Sequence, residues 1–132
     1  MKRFLLILSL FFFTGISSFA QDDDDDDNES VRDKMSEYIQ QKLNLTDQEA
    51  KKFKPYFIQY FKEWRSTIRE NRGDKILMQK KIADLQIRYR SQFREVMGDK
   101  KSNEVFMHQR VFLIELRKIQ AERRKGERRG RD

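Results

Sequence analysis

The chain contains no cysteine, one proline and five glycines among its 132 residues. Without cysteine it can form no disulfide, no cysteine-ligated zinc site and no thiol nucleophile. The scarcity of proline and glycine, beside many Lys, Arg, Glu and Gln residues, favours helices over a β-sandwich or barrel. The single histidine, His108, argues against a multi-histidine metal site or a catalytic triad. We therefore expect an all-α protein that is not an enzyme and has no cofactor and no metal.

The long apolar run of the sequence stands at its start. Met1–Arg3 supplies basic residues, residues 4–16 are almost wholly apolar, and Ser18-Phe19-Ala20 places small residues before a cleavage site. This arrangement is typical of a secretory signal peptide, residues 1–20, cleaved after Ala20. An uncleaved anchor helix is the alternative, but the apolar core is short for a membrane span. We expect a periplasmic protein, for which nucleic acid is not an expected partner.

The charge of the remaining chain is uneven along its length. Without Lys2 and Arg3, 27 of the 29 basic residues remain against 22 acidic ones, and six of these acids are Asp22–Asp27. Residues 21–30 predict an acidic, disordered leader, because adjacent carboxylates repel and Asp is a poor helix former. A calcium patch or a latch for the basic tail is the alternative role.

Residues 123–132 form the basic counterpart of that leader. Six basic residues lie here, interrupted by two glycines: Arg123, Arg124, Lys125, Arg128, Arg129 and Arg131. The pattern predicts a disordered tail. The functional alternative is contact with an anionic surface, either lipid headgroups or acidic proteins.

Between the two ends, apolar residues recur at helical spacing and predict one domain over residues 31–122 with four helices. The helices are expected over residues 31–43, from Thr46 to about Asn71–Gly73, from Asp74 to Gly98, and from about Ser102 into the tail. The residues on the faces expected to be buried are Val31, Met35, Tyr38, Ile39, Leu43, Ala50, Phe53, Phe57, Tyr60, Phe61, Trp64, Ile68, Met78, Ile82, Leu85, Tyr89, Phe93, Val96, Val105, Phe112, Leu113, Leu116 and Ile119, with Gln109 inside the last stripe.

The second helix has the clearest start signal. Leu45-Thr46-Asp47-Gln48-Glu49-Ala50 reads as a capping box, in which the Thr46 hydroxyl and the Glu49 carboxylate each accept from the other's backbone N–H. Pro55 lies inside the predicted helix and is expected to kink it.

The third and fourth predicted helices each carry a second apolar stripe. Ile76, Ala83 and Ile87 project away from the main seam of the third helix, and Met107, Val111 and Ile114 do so on the fourth. Four basic residues stand beside them: Lys80, Arg88, Arg90 and Arg94. A surface helix needs only one apolar stripe. The second stripes indicate either dimer or intrachain packing, or a docking surface with shallow apolar contacts and steering charges.

These features resemble the periplasmic Spy/CpxP group, which is named for its LTxxQ motif. The matching residues are Leu45, Thr46, Glu49 in the Gln place, Ala50, Phe53, Pro55 and Tyr60, and the variant looks like one common in exported Bacteroidetes proteins labelled sensors of ECF-type sigma factors. A second motif box near the last helix is absent. The resemblance implies an elongated helical hairpin that pairs into an antiparallel homodimer and holds unfolded envelope proteins without ATP.

Three functions follow as hypotheses. The favoured one is an exported chaperone-like protein or envelope-stress modulator that binds unfolded proteins through Ile76, Ile87, Met107, Val111 and Ile114. The second is a dedicated regulatory partner of a membrane sensor kinase or an anti-sigma protein. The third is a polyanion- or surface-binding protein that acts through its Arg-rich tail.

Overall fold

The computed structural model describes residues 22–131 as four α-helices without a β-strand. They are α1 (Asp22–Lys42), α2 (Asp47–Glu70), α3 (Lys75–Met97) and α4 (Asp99–Arg129). The predicted all-α fold is confirmed. The predicted signal peptide, residues 1–20, lies outside the described residues. Among residues 22–131, no helix combines the length and the apolar character needed to cross a membrane.

The chain divides into two units, with the boundary after Val31. In the first unit, residues 22–31 form the beginning of α1. The second unit, from Arg32 onward, contains the rest of α1 and the helices α2, α3 and α4. Within this second unit α3 packs against both α2 and α4.

Local side-chain contacts explain where α2 and α3 begin. The Thr46 hydroxyl accepts from the Glu49 backbone N–H at 3.2 Å, and the Glu49 carboxylate accepts from the Thr46 backbone N–H at 3.1 Å. The capping box predicted for α2 is therefore confirmed. At the start of α3 the Asp74 carboxylate accepts from the Leu77 backbone N–H at 3.0 Å, which confirms Asp74 as the N-cap. Both caps satisfy backbone donors that the first helical turn leaves unpaired.

An aromatic core lies between α2, α3 and α4. Phe53 and Phe93 lie with ring centroids 5.1 Å apart, and Tyr60 lies 5.3 Å from Phe106 and 5.5 Å from Tyr89. These separations are typical of favourable aromatic pairs. From α1, Met35, Ile39 and Leu43 are also buried. Eleven of the apolar residues on the expected stripes are buried in this core, and Met97 is buried without having been predicted. Apart from the exposed Ile119, the other members of the stripes are only half-buried: Val31, Tyr38, Ala50, Trp64, Ile68, Met78, Ile82, Val96, Phe112, Leu113 and Leu116.

The ends of the helical segments differ from the sequence-based expectation. Helix α1 begins at Asp22, so the leader that was predicted to be non-helical belongs to α1 from that residue on. Helix α4 begins at Asp99 instead of Ser102 and continues to Arg129 through the segment predicted to be disordered. Negative charge near a helix N-terminus and positive charge near its C-terminus interact favourably with the helix dipole and so stabilise the helix. That electrostatic gain offsets part of the like-charge repulsion on which the predictions were based.

Ile119 is a further correction. The sequence placed it on the buried stripe of α4, but its side chain is 48% exposed. Residues from Arg117 onward in α4 are all exposed, so this part of the helix lacks the tertiary cover that its earlier turns have. A stripe buries its members only where a neighbouring element lies against it.

Candidate protein-binding surface on α3 and α4

A buried polar cluster fixes the position of α4 against α2 and α3. The Tyr60 hydroxyl donates to the Gln109 side-chain oxygen at 2.6 Å and accepts from the Gln86 side-chain nitrogen at 3.3 Å. Tyr60 is fully buried, and this burial raises the pKa of its hydroxyl to about 12. Each of the three helices contributes one member, so the cluster sets their register as well as satisfying the hydroxyl.

The junction of α3 and α4 is a single residue, Gly98, with φ of 86°. A positive φ is readily adopted by glycine, so this position suits it. The Gly98 backbone N–H donates to the Arg94 carbonyl at 2.8 Å, and the Arg94 guanidinium pairs with the Asp99 carboxylate at 2.6 Å. The two helices run antiparallel, because Phe93 lies beside Phe106 near the junction.

The outer face of α3 lies opposite its packed seam. Ile76 is 83% exposed and Ile87 is 55% exposed. Ala83 is also exposed, but it lines a groove towards α4 beside Phe106 and Leu113, which corrects its assignment to the outer stripe. Leu85, Tyr89 and Phe93 on the inner seam are buried in the same helix. The two isoleucines that the sequence assigned to a second stripe therefore lie in contact with solvent within the described structure.

The outer face of α4 is a continuous apolar patch. Met107, Val111 and Ile114 are 47%, 36% and 45% exposed, and they follow each other at steps of four and three residues. Val105 and Gln109, on the other side of the same helix turns, are buried. We call these two exposed faces, Ile76 with Ile87 and Met107 with Val111 and Ile114, the outer surface.

Three of the four predicted basic residues flank this outer surface. Lys80 pairs with Asp84 at 3.9 Å and Arg94 pairs with Asp99, while Arg90 is half-buried. Arg88 is a correction, because it lines the groove between α2 and α3 together with Lys62, Glu63 and Asp84. Helical rotation of 100° per residue moves Arg88 away from the face of Ile87, although the two are adjacent in sequence.

The residues of the LTxxQ-like motif stabilise the helical fold and do not line the outer surface. Thr46 and Glu49 cap α2, Phe53 and Tyr60 are buried in the core, and α2 continues through Pro55. Leu45 and Ala50 are half-buried at the start of α2. The cap also lowers the pKa of Glu49, chiefly because the Thr46 backbone N–H donates to its carboxylate. Lys101 of α4 lies 3.5 Å from the same carboxylate and so ties α4 to the cap.

Two exposed apolar residues were not predicted for this surface: Leu77 and Ile119. Leu77 precedes the inner-seam residue Met78, so its direction away from the seam follows from helical rotation alone. For Ile119 no sequence signal was available, since its exposure depends on where the neighbouring helices end.

The described residues hold no arrangement typical of a metal centre. Among the described side chains, residues 27–131, there is no group of three or more His, Cys, Asp or Glu that could hold a metal ion. The His108 ring lies edge-on to Tyr38 of α1, with centroids 6.5 Å apart. This contact places His108 in the packing of α1 against α4.

Comparisons with protein-family models, curated proteins and solved structures give no match to this chain. The geometry of the outer surface is therefore the basis for a functional proposal.

Proposed function

We propose that this chain is an exported, ATP-independent chaperone-like protein or envelope-stress modulator that binds other polypeptides through the outer surface. One observation carries the proposal: all five apolar residues of the outer surface are at least 36% exposed, while α3 and α4 are packed on their other sides. Exposed apolar side chains grouped on a surface are a common feature of protein-binding sites.

The chemistry of the surface favours weak and adaptable binding. Ile87, Val111 and Ile114 offer apolar area without a deep pocket, and Met107 adds a flexible side chain that adjusts to different partners. Burying apolar surface contributes about 25 cal/mol per Å², so a few half-exposed residues supply only modest affinity. Such a surface suits transient contact with unfolded chains.

The charge of the surroundings supports the same role. Lys80 is exposed beside the outer face of α3, and α4 continues into a long, exposed basic segment. Opposite charges on a partner would speed the encounter, because electrostatic steering raises association rates. The resemblance of the α2 start to the LTxxQ group agrees with this proposal.

The test is suppression of the aggregation of a denatured client by the purified protein, followed by light scattering. We expect Ile87→Ser with Ile114→Ser to reduce the suppression severalfold without changing the helical circular dichroism. Ile119→Ser is the matched control, because Ile119 is equally exposed but lies outside the outer surface. Equal suppression by the double variant and the control would remove the outer surface from the proposal.

A dedicated regulatory role would give a different outcome. If one membrane sensor or anti-sigma protein binds stoichiometrically and aggregation is not suppressed, the outer surface serves a single partner. Suppression with several unrelated clients supports the chaperone-like role.

A further inference from the structure

The apolar patch of α4 is the first half of a longer regular stripe. Its exposed positions recur at steps of 4, 3, 4, 3 and 4 residues, and we call this set the α4 seam: Met107, Val111, Ile114, Lys118, Ala121 and Lys125. Residues at these steps lie along one face of an α-helix. Over this length the seam is about 27 Å long, since each helical residue rises 1.5 Å.

The seam is distinct from the packing that α4 already makes. The buried residues of α4, Ser102, Val105 and Gln109, face α2 and α3. The seam lies on the opposite side and all six of its members are exposed. Within the described structure, this second side of α4 is therefore open to contact with another polypeptide.

The seam changes in composition along its length. Its first three members are apolar, and Lys118, Ala121 and Lys125 make its second half basic. Residues 117–131 contain eight basic residues and two acidic ones, Glu122 and Glu127. The second half of the seam therefore presents net positive charge to a neighbour.

A second copy of this chain fits the seam poorly. Parallel pairing of two α4 seams would place Lys118 beside its own equivalent, and like charges in register are destabilising. Antiparallel pairing over the whole seam would lay Lys118 and Lys125 of one copy against the apolar half of the other, which would cover apolar side chains with charged ones.

The other helical stripes of a second copy also fit the α4 seam poorly. The outer stripe of α3 also contains basic residues, Lys80, Arg90 and Arg94, so it would meet the α4 seam with like charge. The acidic run Asp22–Asp27 has the complementary charge, but it has no apolar residue to cover Met107, Val111 and Ile114.

We propose that the α4 seam binds an amphipathic helix of another protein, with apolar residues along one half of its seam and acidic residues along the other. The apolar half packs on Met107, Val111 and Ile114, and the carboxylates pair with Lys118 and Lys125. This inference rests on the proposed function, because both require that the protein binds another polypeptide. It adds that the bound segment is helical and partly acidic.

The experiment uses a fluorescently labelled synthetic peptide of three heptads as the probe. Leu occupies the first and fourth heptad positions of its first half, Glu occupies those of its second half, and binding to the full protein is followed by anisotropy. We expect binding that weakens as salt is raised, because exposed charge pairs are screened. A peptide with Lys in place of Glu, and one with the same residues in scrambled order, are expected to bind at least tenfold more weakly.

Variants locate the binding on the seam. Val111→Ser with Ile114→Ser is expected to weaken binding of the acidic peptide about tenfold or more, and Lys118→Glu with Lys125→Glu to do the same and to favour the Lys peptide. Ile119→Ser, at an exposed position outside both the α4 seam and the outer surface, is expected to change binding less than about twofold. Circular dichroism of each variant confirms that the helices are intact.

Several outcomes would overturn the proposal. Equal binding of the acidic, basic and scrambled peptides would show that the protein does not recognise the charge pattern of the peptide. Unchanged binding by the variant with Val111→Ser and Ile114→Ser would place the binding site elsewhere. A dimer in sedimentation velocity that this variant dissociates assigns the seam to a second copy. If the peptide does not bind but client aggregation is still suppressed, only the proposal of helix binding by the α4 seam is wrong. If the peptide binds but client aggregation is not suppressed, only the proposed chaperone-like function is wrong.

Discussion

The inner and outer stripes of α3 are both apolar but lie in opposite environments. On the inner seam, Leu85 and Phe93 are almost completely buried, whereas Ile76 and Ile87 on the outer stripe are mostly exposed. The inner seam repeats every three or four residues, while the outer stripe predicted from the sequence is sparser, since Ile76, Ala83 and Ile87 are seven and four residues apart. Burial depends on which side the neighbouring helices occupy, and here the aromatic residues of α2 decide it.

The largest difference between the stripes is expected in stability. Phe93→Ala removes a fully buried ring that contacts Phe53 and Phe106, and it should lower the free energy of unfolding by about 3–5 kcal/mol. Ile87→Ala on the outer stripe should lower it by less than about 0.5 kcal/mol. Urea denaturation followed by circular dichroism measures both. Similar losses in the two variants would mean that the outer stripe is covered in solution.

An intermediate effect is expected from the polar cluster on the inner side. Tyr60→Phe removes the hydroxyl and leaves the Gln109 oxygen without its donor, which should cost about 1–3 kcal/mol of unfolding free energy. Tyr60→Phe combined with Gln109→Leu should recover part of this loss, because it also removes the unpaired acceptor. An additive loss in the double variant would contradict the coupling of α2 to α4 through this hydrogen bond.

The smallest effect is expected at a site that touches neither stripe of α3. Glu49→Gln keeps a capping acceptor but removes the charge, and should lower stability at neutral pH by roughly 0.3–1 kcal/mol. The pKa of Glu49 is lower in the folded protein than its ordinary value of 4.5. The contribution of the Glu49 carboxylate to the free energy of unfolding is therefore complete above pH 4.5, and it is lost as the pH falls through the pKa of the folded state.

Acid titration of stability checks the last prediction. The difference between the wild-type protein and Glu49→Gln should shrink as the solution is acidified and the Glu49 carboxylate becomes protonated. A difference that stays constant with pH would show that the carboxylate charge plays no part in the cap.

Local sequence chemistry predicted the helix boundaries best where a side chain satisfies the backbone. Thr46 with Glu49 and Asp74 act as caps in both the prediction and the structure, and Gly98 ends α3. The prediction failed at the start of α4, where no side-chain cap marks the first turn, and in the acidic leader, which is helical from Asp22 on. In those places charge repulsion, dipole and neighbouring turns compete, and composition alone does not show which prevails.

The candidate site was only partly predictable. Helical rotation correctly separated Ile87 from the inner seam and Met107 from Val105, because these pairs are close in sequence and their relative angle is fixed by the helix. It could not identify the Tyr60–Gln109 contact, which joins residues far apart in the chain. The same rotation separates Arg88 from Ile87, but only the structure shows that Arg88 lines the groove towards α2.

The sequence by itself determined the helical class, the caps at Thr46 and Asp74, and the two-sided character of α3 and α4, because these depend on interactions within a few residues. The tertiary structure decided which stripe is covered, that Tyr60 joins three helices, and that Ile119 is exposed. Those outcomes depend on contacts between segments that are distant in sequence. An apolar side chain gains free energy from burial only where another part of the fold removes its surface from water.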